Sequence, residues 1–368
     1  MHFSRFVRML SALVLLNACT PTEVVQPFYS SEQDFINDTT TLTRLELVGK
    51  KIFFDKNLSN PVGISCASCH APLTGFSDPE HSAFSKGVLG LLGNRNSPTI
   101  SYLAFSPQQM YFDNIDSAWV GGFFHDGRAS SLEKQLLEPV FSHIEMNMNN
   151  IAAVIDRINR SAYRADFVSI FGEAVFSDSL QFIQSFQKAV VAFEKSNQVS
   201  PFTSKFDYYL KGKVQLTRQE MRGLILFNDP EKGNCSACHP SSADEISGKV
   251  LFTDFTYDNI GLPPNPNQSL IPDFGLGITK NSSRENGKFK VPTLRNIEKT
   301  APYFHNGVIQ TLEDAIRFYS ERDIVGKFNS PEVVEDINKD ELGNLKLTTE
   351  EINDIKAFLL TLTDGYQP

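Results

Sequence analysis

The sequence is poor in the features that mark several common classes of protein. It has no cluster of lysine and arginine, and 34 basic against 43 acidic side chains give a formal charge of −9, so no nucleic acid partner is expected. Sustained alternation of apolar and polar residues is absent, which predicts a mostly α fold. The apolar run Met9–Leu16 is too short to span a bilayer. With 368 residues, the chain is long enough for two domains with separate cores.

Cysteine and histidine are scarce but concentrated. Of five cysteines, four fall in two copies of one pentapeptide, Cys66-Ala67-Ser68-Cys69-His70 and Cys235-Ser236-Ala237-Cys238-His239. C-x-x-C-H is the attachment signature of c-type haem, in which the thiols form thioethers with the haem vinyl groups and the histidine ligates the iron. A zinc site would need further ligands at close spacing, which neither copy has. A redox dithiol and a chance match also have to be considered, but the sequence predicts two covalently bound haems.

The N-terminus has the pattern of an export signal. Two arginines precede the apolar run, and residues 1–18 are predicted to be a signal peptide. The segment Leu16-Asn17-Ala18-Cys19 resembles the cleavage box of bacterial lipoproteins, with Cys19 as the lipidated first residue; the alternative is a conventional signal peptide that is removed together with Cys19. Cleavage before Cys19 leaves 32 basic against 43 acidic side chains, a charge of −11. We expect residues 19–40 to be a lipidated tether that holds the protein on the periplasmic side, with no other attachment to the membrane.

Helical patterns recur before both pentapeptides. Apolar residues recur at helical spacing over Leu45–Phe53 before the first, and Thr217-x-x-Glu220 forms a capping box before the second. This repeat predicts two cytochrome c-like haem domains with long loops, an N-terminal domain over 41–212 and a C-terminal domain over 213–368. Further helices are expected at 130–141, 151–171 and 180–193, and after the caps Thr311 and Thr348.

Four further motifs complete a pattern. They are Arg95-Asn96-Ser97-Pro98-Thr99, Asp126-Gly127-Arg128-Ala129, Pro292-Thr293-Leu294-Arg295-Asn296 and Thr300-Ala301-Pro302-Tyr303-Phe304-His305-Asn306-Gly307. With both haem motifs, they make the chain, from about Leu47 to its C-terminus, similar to the bacterial di-haem cytochrome c peroxidase family, which includes the MauG branch. The resemblance implies an enzyme that reduces hydrogen peroxide to water with electrons from a small donor cytochrome or cupredoxin. It is also compatible with a homodimer.

The resemblance implies unequal roles for the two haems. The N-terminal haem is the peroxide site of the family, and Gln135, Pro139 and Glu145 match its distal glutamine, proline and glutamate. A carboxylate beside a haem is suited to move a proton between the two oxygens of a peroxide, and Gln135 would donate a hydrogen bond to peroxide or water. Without the resemblance, Glu145 reads as an exposed carboxylate at a helix end and Gln135 as a solvated side chain.

The second haem departs from the usual pattern. Standard family members use histidine and methionine there, but this chain has no methionine after Met221, and Tyr319 occupies the matching position, as in the MauG branch. An anionic tyrosine would stabilise ferric iron and lower the potential of that haem; the alternative is a packed helical tyrosine. The resemblance also implies one calcium ion between the haems, held by the Asn96 side chain and the carbonyl oxygens of Thr300 and Pro302, which are donors that calcium prefers.

A further departure lies between the haems. Family members normally carry a tryptophan directly before Asp-Gly-Arg as an electron or hole relay, and here His125 takes that place. An imidazole is much harder to oxidise than an indole, which disfavours hole sharing; His125 could equally hydrogen-bond a haem propionate. We expect Trp119, the only tryptophan, to pack in the core. His81 lies in a loop that resembles the MauG-branch version, so it is not expected to ligate the first haem.

Three functions stay open at this point. The first is peroxide reduction with electrons from a small protein. The second is MauG-like oxidation of a protein or organic substrate, which Tyr319 favours and His125 disfavours. The third is an electron-transfer cytochrome without peroxide chemistry, which predicts two six-coordinate irons and leaves Gln135 and Glu145 without a purpose.

Overall fold

The computed structural model describes residues 29–368, so the predicted signal peptide and Cys19 lie outside the described residues. Over these residues the fold is mostly α, as the sequence predicts. Within the same range, no helix combines the length and the apolar character needed to cross a membrane.

Residues 29–368 contain eleven α-helices and two short antiparallel strand pairs. The helices are α1 (Glu32–Asn37), α2 (Arg44–Phe53), α3 (Leu132–Phe141), α4 (Ile151–Asn159), α5 (Arg164–Phe171), α6 (Ser179–Glu194), α7 (Lys205–Leu210), α8 (Arg218–Asn228), α9 (Leu276–Lys280), α10 (Leu312–Glu321) and α11 (Thr349–Leu360). The strands β1 (Tyr111–Asp113) and β2 (Ala118–Val120) form one pair, and β3 (Tyr257–Asp258) and β4 (Phe289–Lys290) form the other.

The helix before each haem motif crosses a later helix at a glycine. Gly49 of α2 packs so closely on α6 that an added Cβ would overlap the carbonyl oxygen of Ala189. Likewise, a Cβ added to Gly223 of α8 would overlap the carbonyl oxygen of Asp354 in α11. Because glycine has no Cβ, it permits this approach of two backbones. The same crossing is therefore built twice in one chain.

A turn followed by a helix is also built twice. Helix α3 begins after the N-cap Ser131 and α10 begins after the N-cap Thr311, and both helices have ten residues. The eighth residue after the cap is Pro139 in α3 and Tyr319 in α10. Backbone bridges close the preceding turns between Phe123 and Ala129 and between Tyr303 and Ile309.

Two hydrophobic clusters accompany these repeated units. One consists of residues between 35 and 199 and includes the facing sides of α2 and α6. The other consists of residues between 206 and 362 and includes the facing sides of α8 and α11. Fully buried phenylalanines such as Phe53 and Phe227 occupy both, and each contributes about 2 kcal/mol through burial.

The tether predicted over 19–40 is wrong from residue 31 onward. Helix α1 begins after the N-cap Ser31, and Phe35 is only 2% exposed in the first cluster. Lys50 of α2 donates hydrogen bonds to the carbonyl oxygens of Phe35 and Asp38. One buried aromatic side chain and a hydrogen-bonded backbone are enough to dock this segment, although it has no apolar periodicity.

Two further expectations need correction. The helix predicted over 151–171 is divided into α4 and α5, because the chain turns at Ser161, whose hydroxyl donates to the carbonyl oxygen of Ile158. Trp119 is not a core residue. It lies half-buried in β2, with its ring edge-on to Phe112 and the ammonium of Lys280 3.3 Å from its ring centroid.

Candidate functional site

Both C-x-x-C-H motifs have the same local structure. A 3-10 turn covers Cys66–Ser68 in the first motif and Cys235–Ala237 in the second. In each motif the backbone N–H of the histidine donates to the carbonyl oxygen of the first cysteine over 2.9 Å. This tight turn brings two thiols and one imidazole close together.

The imidazole of each motif is oriented by a backbone carbonyl group. The Nδ1 atom of His70 lies 3.2 Å from the carbonyl oxygen of Phe76, and that of His239 lies 2.9 Å from the carbonyl oxygen of Phe252. Both phenylalanines have the uncommon left-handed backbone, with φ of 60° and 53°. A hydrogen bond at Nδ1 fixes the tautomer and leaves the Nε2 lone pair available to a metal. Burial lowers the pKa of His239 to about 4, which keeps its ring neutral.

The thiols fit haem attachment better than a redox dithiol. The four motif cysteines, all within the described range, are unpaired. Burial raises the pKa of Cys66, Cys69 and Cys235 to about 12, whereas a redox dithiol depends on a thiolate. Unpaired neutral thiols beside a histidine with a free Nε2 are the groups that a covalent haem requires.

A cavity of about 220 Å³ adjoins the second motif. Cys235, Cys238 and His239 line it from the motif, and Tyr319 lines it from α10. Burial raises the pKa of the Tyr319 phenol, and the proximity of Cys238 and Cys235 raises it further. The structure therefore brings Tyr319 into the same cavity as the second motif.

Comparisons with known proteins agree with this geometry. The family model described as di-haem cytochrome c peroxidase matches residues 43–215. The chain is 34% identical over 354 residues to the methylamine utilization protein MauG of Paracoccus denitrificans, covering 88% of this chain and 90% of that protein. It is 31% identical over 303 residues to the cytochrome c551 peroxidase of Pseudomonas aeruginosa, covering 79% and 75%. The chain belongs to the di-haem cytochrome c peroxidase family, which includes the MauG branch.

Solved structures support the same assignment. The crystal structure of the diheme peroxidase BthA from Burkholderia thailandensis superposes with a TM-score of 0.76 at 32% identity, covering 87% of this chain and 86% of that one. A MauG-like protein associated with microbial copper homeostasis superposes with a TM-score of 0.69 at 31% identity, covering 88% and 90%. Membership of this di-haem family makes the chain a peroxidase-type oxidoreductase and implies two c-type haems.

In this di-haem peroxidase, the three predicted distal residues of the first half lie on or just after α3. Gln135 and Pro139 are one turn apart on the helix, and both are half-buried. Glu145 follows the helix, and its carbonyl oxygen accepts a hydrogen bond of 2.9 Å from the backbone N–H of Val88. Met146, buried at 4% exposure, fixes the segment in the core. Glu145 is therefore not the exposed carboxylate that its place at a helix end suggests.

The charge of Glu145 acts on the first motif. Burial raises the pKa of Glu145, which favours its protonated form. Its negative charge in turn raises the pKa of both Cys66 and Cys69. The structure thus brings this carboxyl group near the first motif, where it can hold and release a proton.

The three predicted calcium ligands line the same cavity as the second motif. The Nδ2 atom of Asn96 donates to the carbonyl oxygens of Ser82 and Ala83 over 3.2 and 3.4 Å, which leaves its amide oxygen available as a donor to a cation. Thr300 and Pro302 approach from the second half of the chain. An amide oxygen and two carbonyl oxygens are a donor set that fits calcium.

His125 connects the two halves. Its Nε2 atom lies 2.9 Å from the carbonyl oxygen of Asn96, and its own carbonyl oxygen accepts a hydrogen bond of 2.8 Å from the backbone N–H of Lys290 in β4. His125 also lines the cavity at the second motif. Burial lowers its pKa to about 4, so the ring is neutral.

An ion-pair cluster joins two of the recognised motifs. Arg95 pairs with Asp126 over 2.6 Å and with Asp273 over 2.7 Å, and all three side chains are largely buried. The sequence motifs contained Arg95 and Asp126 without indicating that they meet, and Asp273 was not singled out. Removing one partner of such a buried cluster leaves an uncompensated charge and strongly destabilises a fold.

Two further titratable groups are buried: His305, which belongs to a recognised motif, and Glu194, which was not singled out from the sequence. His305 stacks on Phe289 with ring centroids 3.5 Å apart, and its Nε2 atom lies 3.7 Å from Glu332 without a hydrogen bond among the described residues. Glu194 ends α6, and its Oε2 atom is likewise buried without a partner in residues 29–368. No local pattern in the sequence indicates that Glu194 is buried, because its burial depends on contacts with distant parts of the chain.

Proposed function

We propose that this protein reduces hydrogen peroxide at a haem held by Cys66, Cys69 and His70, with electrons entering through a second haem held by Cys235, Cys238 and His239. The observation that carries the proposal is the pair of equivalent positions on α3 and α10. Tyr319 brings a phenol oxygen to the second motif, whereas Pro139, at the same distance from its helix cap, has no side-chain donor atom. This difference supports an open first iron and a closed second iron.

The reaction consumes two electrons and two protons for each peroxide that is converted to two waters. A haem held by Cys66, Cys69 and His70 would supply the redox chemistry that reduces the peroxide. Glu145 takes the proton from the inner peroxide oxygen and delivers it to the outer one, which makes water the leaving group. Burial raises the pKa of Glu145, which makes its carboxylate a stronger proton acceptor. Gln135 donates a hydrogen bond that orients the peroxide, and the Pro139 ring limits access of water to the site.

Tyr319 ligates the second haem as a phenolate in this proposal. An anionic oxygen ligand stabilises the ferric state and lowers the potential of that haem. His125 is hydrogen-bonded to Asn96 in the first half and to β4 in the second. These hydrogen bonds connect the two halves and fix the position of the imidazole. Because an imidazole is much harder to oxidise than an indole, His125 does not carry an oxidising hole in this proposal.

A calcium ion bound by Asn96, Thr300 and Pro302 would hold the two halves at a fixed separation. Two cytochrome c-like domains with long loops, over 41–212 and 213–368, agree with the repeated helix crossings and the two hydrophobic clusters. We further propose periplasmic localisation with lipid anchoring at Cys19, and a small donor cytochrome or cupredoxin that is attracted by the acidic surface. Association into a homodimer is compatible with this arrangement.

MauG-like oxidation of a protein or organic substrate is the second candidate. Tyr319 favours it, as do two relatives named methylamine utilization protein MauG, the second from Methylophilus methylotrophus at 30% identity over 375 residues. His125 in place of a tryptophan disfavours the version that depends on hole transfer to the surface. A purely electron-transferring cytochrome would leave the partly buried Glu145 without a role.

The test uses the haem-loaded protein. Its spin states and both reduction potentials are recorded, and peroxide turnover is then measured with a reduced small cytochrome as donor. We expect one high-spin haem and turnover of peroxide to water. Two six-coordinate low-spin haems without turnover, at every level of pre-reduction, would contradict the proposal. Turnover only with an added organic or protein substrate would favour the second candidate.

A further inference from the structure

Glu194 is a buried acid that the proposed reaction does not use. Its side chain is at the C-terminal end of α6, the residue is 6% exposed, and its Oε2 atom has no hydrogen-bond partner among the described residues. A buried charge without a partner is strongly unfavourable, so the protonated form is preferred. Burial, reinforced by Glu133 and opposed by Lys195, raises the pKa of Glu194 to about 8.

The repeated helix crossing gives the position of Glu194 relative to the first motif. An added Cβ at Gly49 would contact Ala189 and Phe193 of α6, and one at Gly223 would contact Asp354 and Phe358 of α11. The residue that follows Phe193 is Glu194, and the residue that follows Phe358 is Leu359. Glu194 and Leu359 therefore occupy equivalent positions in the two halves.

Leu359 lines the same cavity as Cys235 and His239. By the repeat, Glu194 occupies the corresponding place beside the first motif. An independent observation agrees, because the charge of Glu194 raises the pKa of the Cys66 thiol and is the largest electrostatic contribution from another residue. The first half thus has the carboxyl group of Glu194 where the second half has the apolar side chain of Leu359.

We infer that Glu194 binds a proton when the first haem accepts an electron, and releases it when that electron leaves. This inference rests on the proposed attachment of a haem to Cys66, Cys69 and His70. The electron comes from the donor protein through the second haem, and the proton comes from solvent. Ferric haem carries one more positive charge than ferrous haem, so it favours the carboxylate, and reduction restores the carboxylic acid. One proton and one electron are taken up together.

The groups that face Glu194 set the pH range of this coupling. Glu133 on α3 disfavours the carboxylate and Lys195 favours it. Cys66 becomes an uncharged thioether once the haem is attached. The second half has Leu359 at the same position and therefore gains no such coupling. Glu194 acts on the first haem through its charge, because it contacts no peroxide in the proposed reaction.

The test is a spectroelectrochemical titration of the haem-loaded protein between pH 5 and 9. In the native protein, the reduction equilibrium of the first haem should become less favourable by up to about tenfold per pH unit within the coupling range. The slope should be lost in Glu194→Gln, which mimics the protonated acid, and in Glu194→Leu, which copies the second half. The exposed control Glu173→Gln should keep it. Glu133→Gln should shift the sloping range to lower pH.

Infrared difference spectra give a second readout. Reduction of the first haem should produce a band of a protonated carboxyl group that is absent in Glu194→Gln. An unchanged pH slope in both Glu194 variants would overturn the inference, as would a slope that disappears only in Glu145→Gln. Failure of the proposed function is distinguishable, because it would appear as missing haem at Cys66 and Cys69 or as absent peroxide turnover in the native protein.

Discussion

The two halves of the molecule use one scaffold and differ at a few equivalent positions of its helices. Both have a capped helix before the motif, a glycine crossing, an Nδ1-bonded histidine and a ten-residue helix after a bridged turn. They differ at Pro139 and Tyr319 on that helix and at Glu194 and Leu359 behind the motif. In the proposed function, the shared residues hold a haem in each half, and the differing residues decide the reactivity of that haem. Each comparison can be tested by changing one residue at a time.

The largest expected effect is the loss of peroxide turnover when Glu145, the acid of the first half, is replaced. Glu145→Gln keeps the size and hydrogen bonding of the side chain but cannot exchange a proton, so peroxide turnover should fall by about 10²–10⁴-fold. Both haems should remain, which absorption spectra of the purified protein would show. The matched control is Glu138→Gln, an exposed acid on α3, which should turn over normally. Retention of activity by Glu145→Gln would end its role in proton transfer.

The next effect concerns the crossings that both halves share. Gly49→Ala and Gly223→Ala each force a methyl group onto a backbone carbonyl, so each should lower the free energy of unfolding by about 1–3 kcal/mol. Chemical unfolding of the haem-loaded variants measures this. Gly93→Ala is the control, because its nearest neighbouring atoms are 3.6 Å away and no strained backbone is involved. Unequal effects at the two crossings would show that the halves do not depend equally on this contact.

These crossings also show how far the sequence could be read. The haem motifs, the mostly α fold and the capping boxes at Thr217 and Thr348 are local patterns, and the structure has the expected caps. Gly49 and Gly223 have no local signal, because their reason is a backbone from a distant helix. The docking of Phe35 and the pairing of Arg95 with Asp273 also depend on contacts across more than ten residues. The burial of Glu194 likewise depends on contacts between distant parts of the chain.

A smaller effect is expected at the second haem. Tyr319→Phe removes the phenol oxygen, so the spectrum of the second haem should change and its reduction should become at least about tenfold more favourable, ~59 mV for one electron. Tyr303→Phe is the matched control, since Tyr303 lines the same cavity but donates its hydroxyl to the carbonyl oxygen of Ile297 over 3.1 Å. If the spectrum and potential of Tyr319→Phe match the native protein, Tyr319 does not ligate the iron.

The last prediction compares how substitutions of Glu194 and Leu359 change the free energy of unfolding as the pH is varied. The pKa of Glu194 is about 8 in the folded chain against its ordinary 4.5, so the folded state binds more protons between these values and the native protein loses stability as pH rises from about 4.5 to 8. Glu194→Gln has no such loss. In the reduced protein, the free energy of unfolding of the variant should therefore rise relative to that of the native chain as the pH is raised from 5 to 8.5, as measured by denaturant unfolding. Leu359→Met, a change at the equivalent apolar position, should shift stability equally at both pH values. A pH-independent difference for Glu194→Gln would mean that the acid is ionised in the folded protein at pH 5, and that the two halves do not differ in the way that the proton coupling requires.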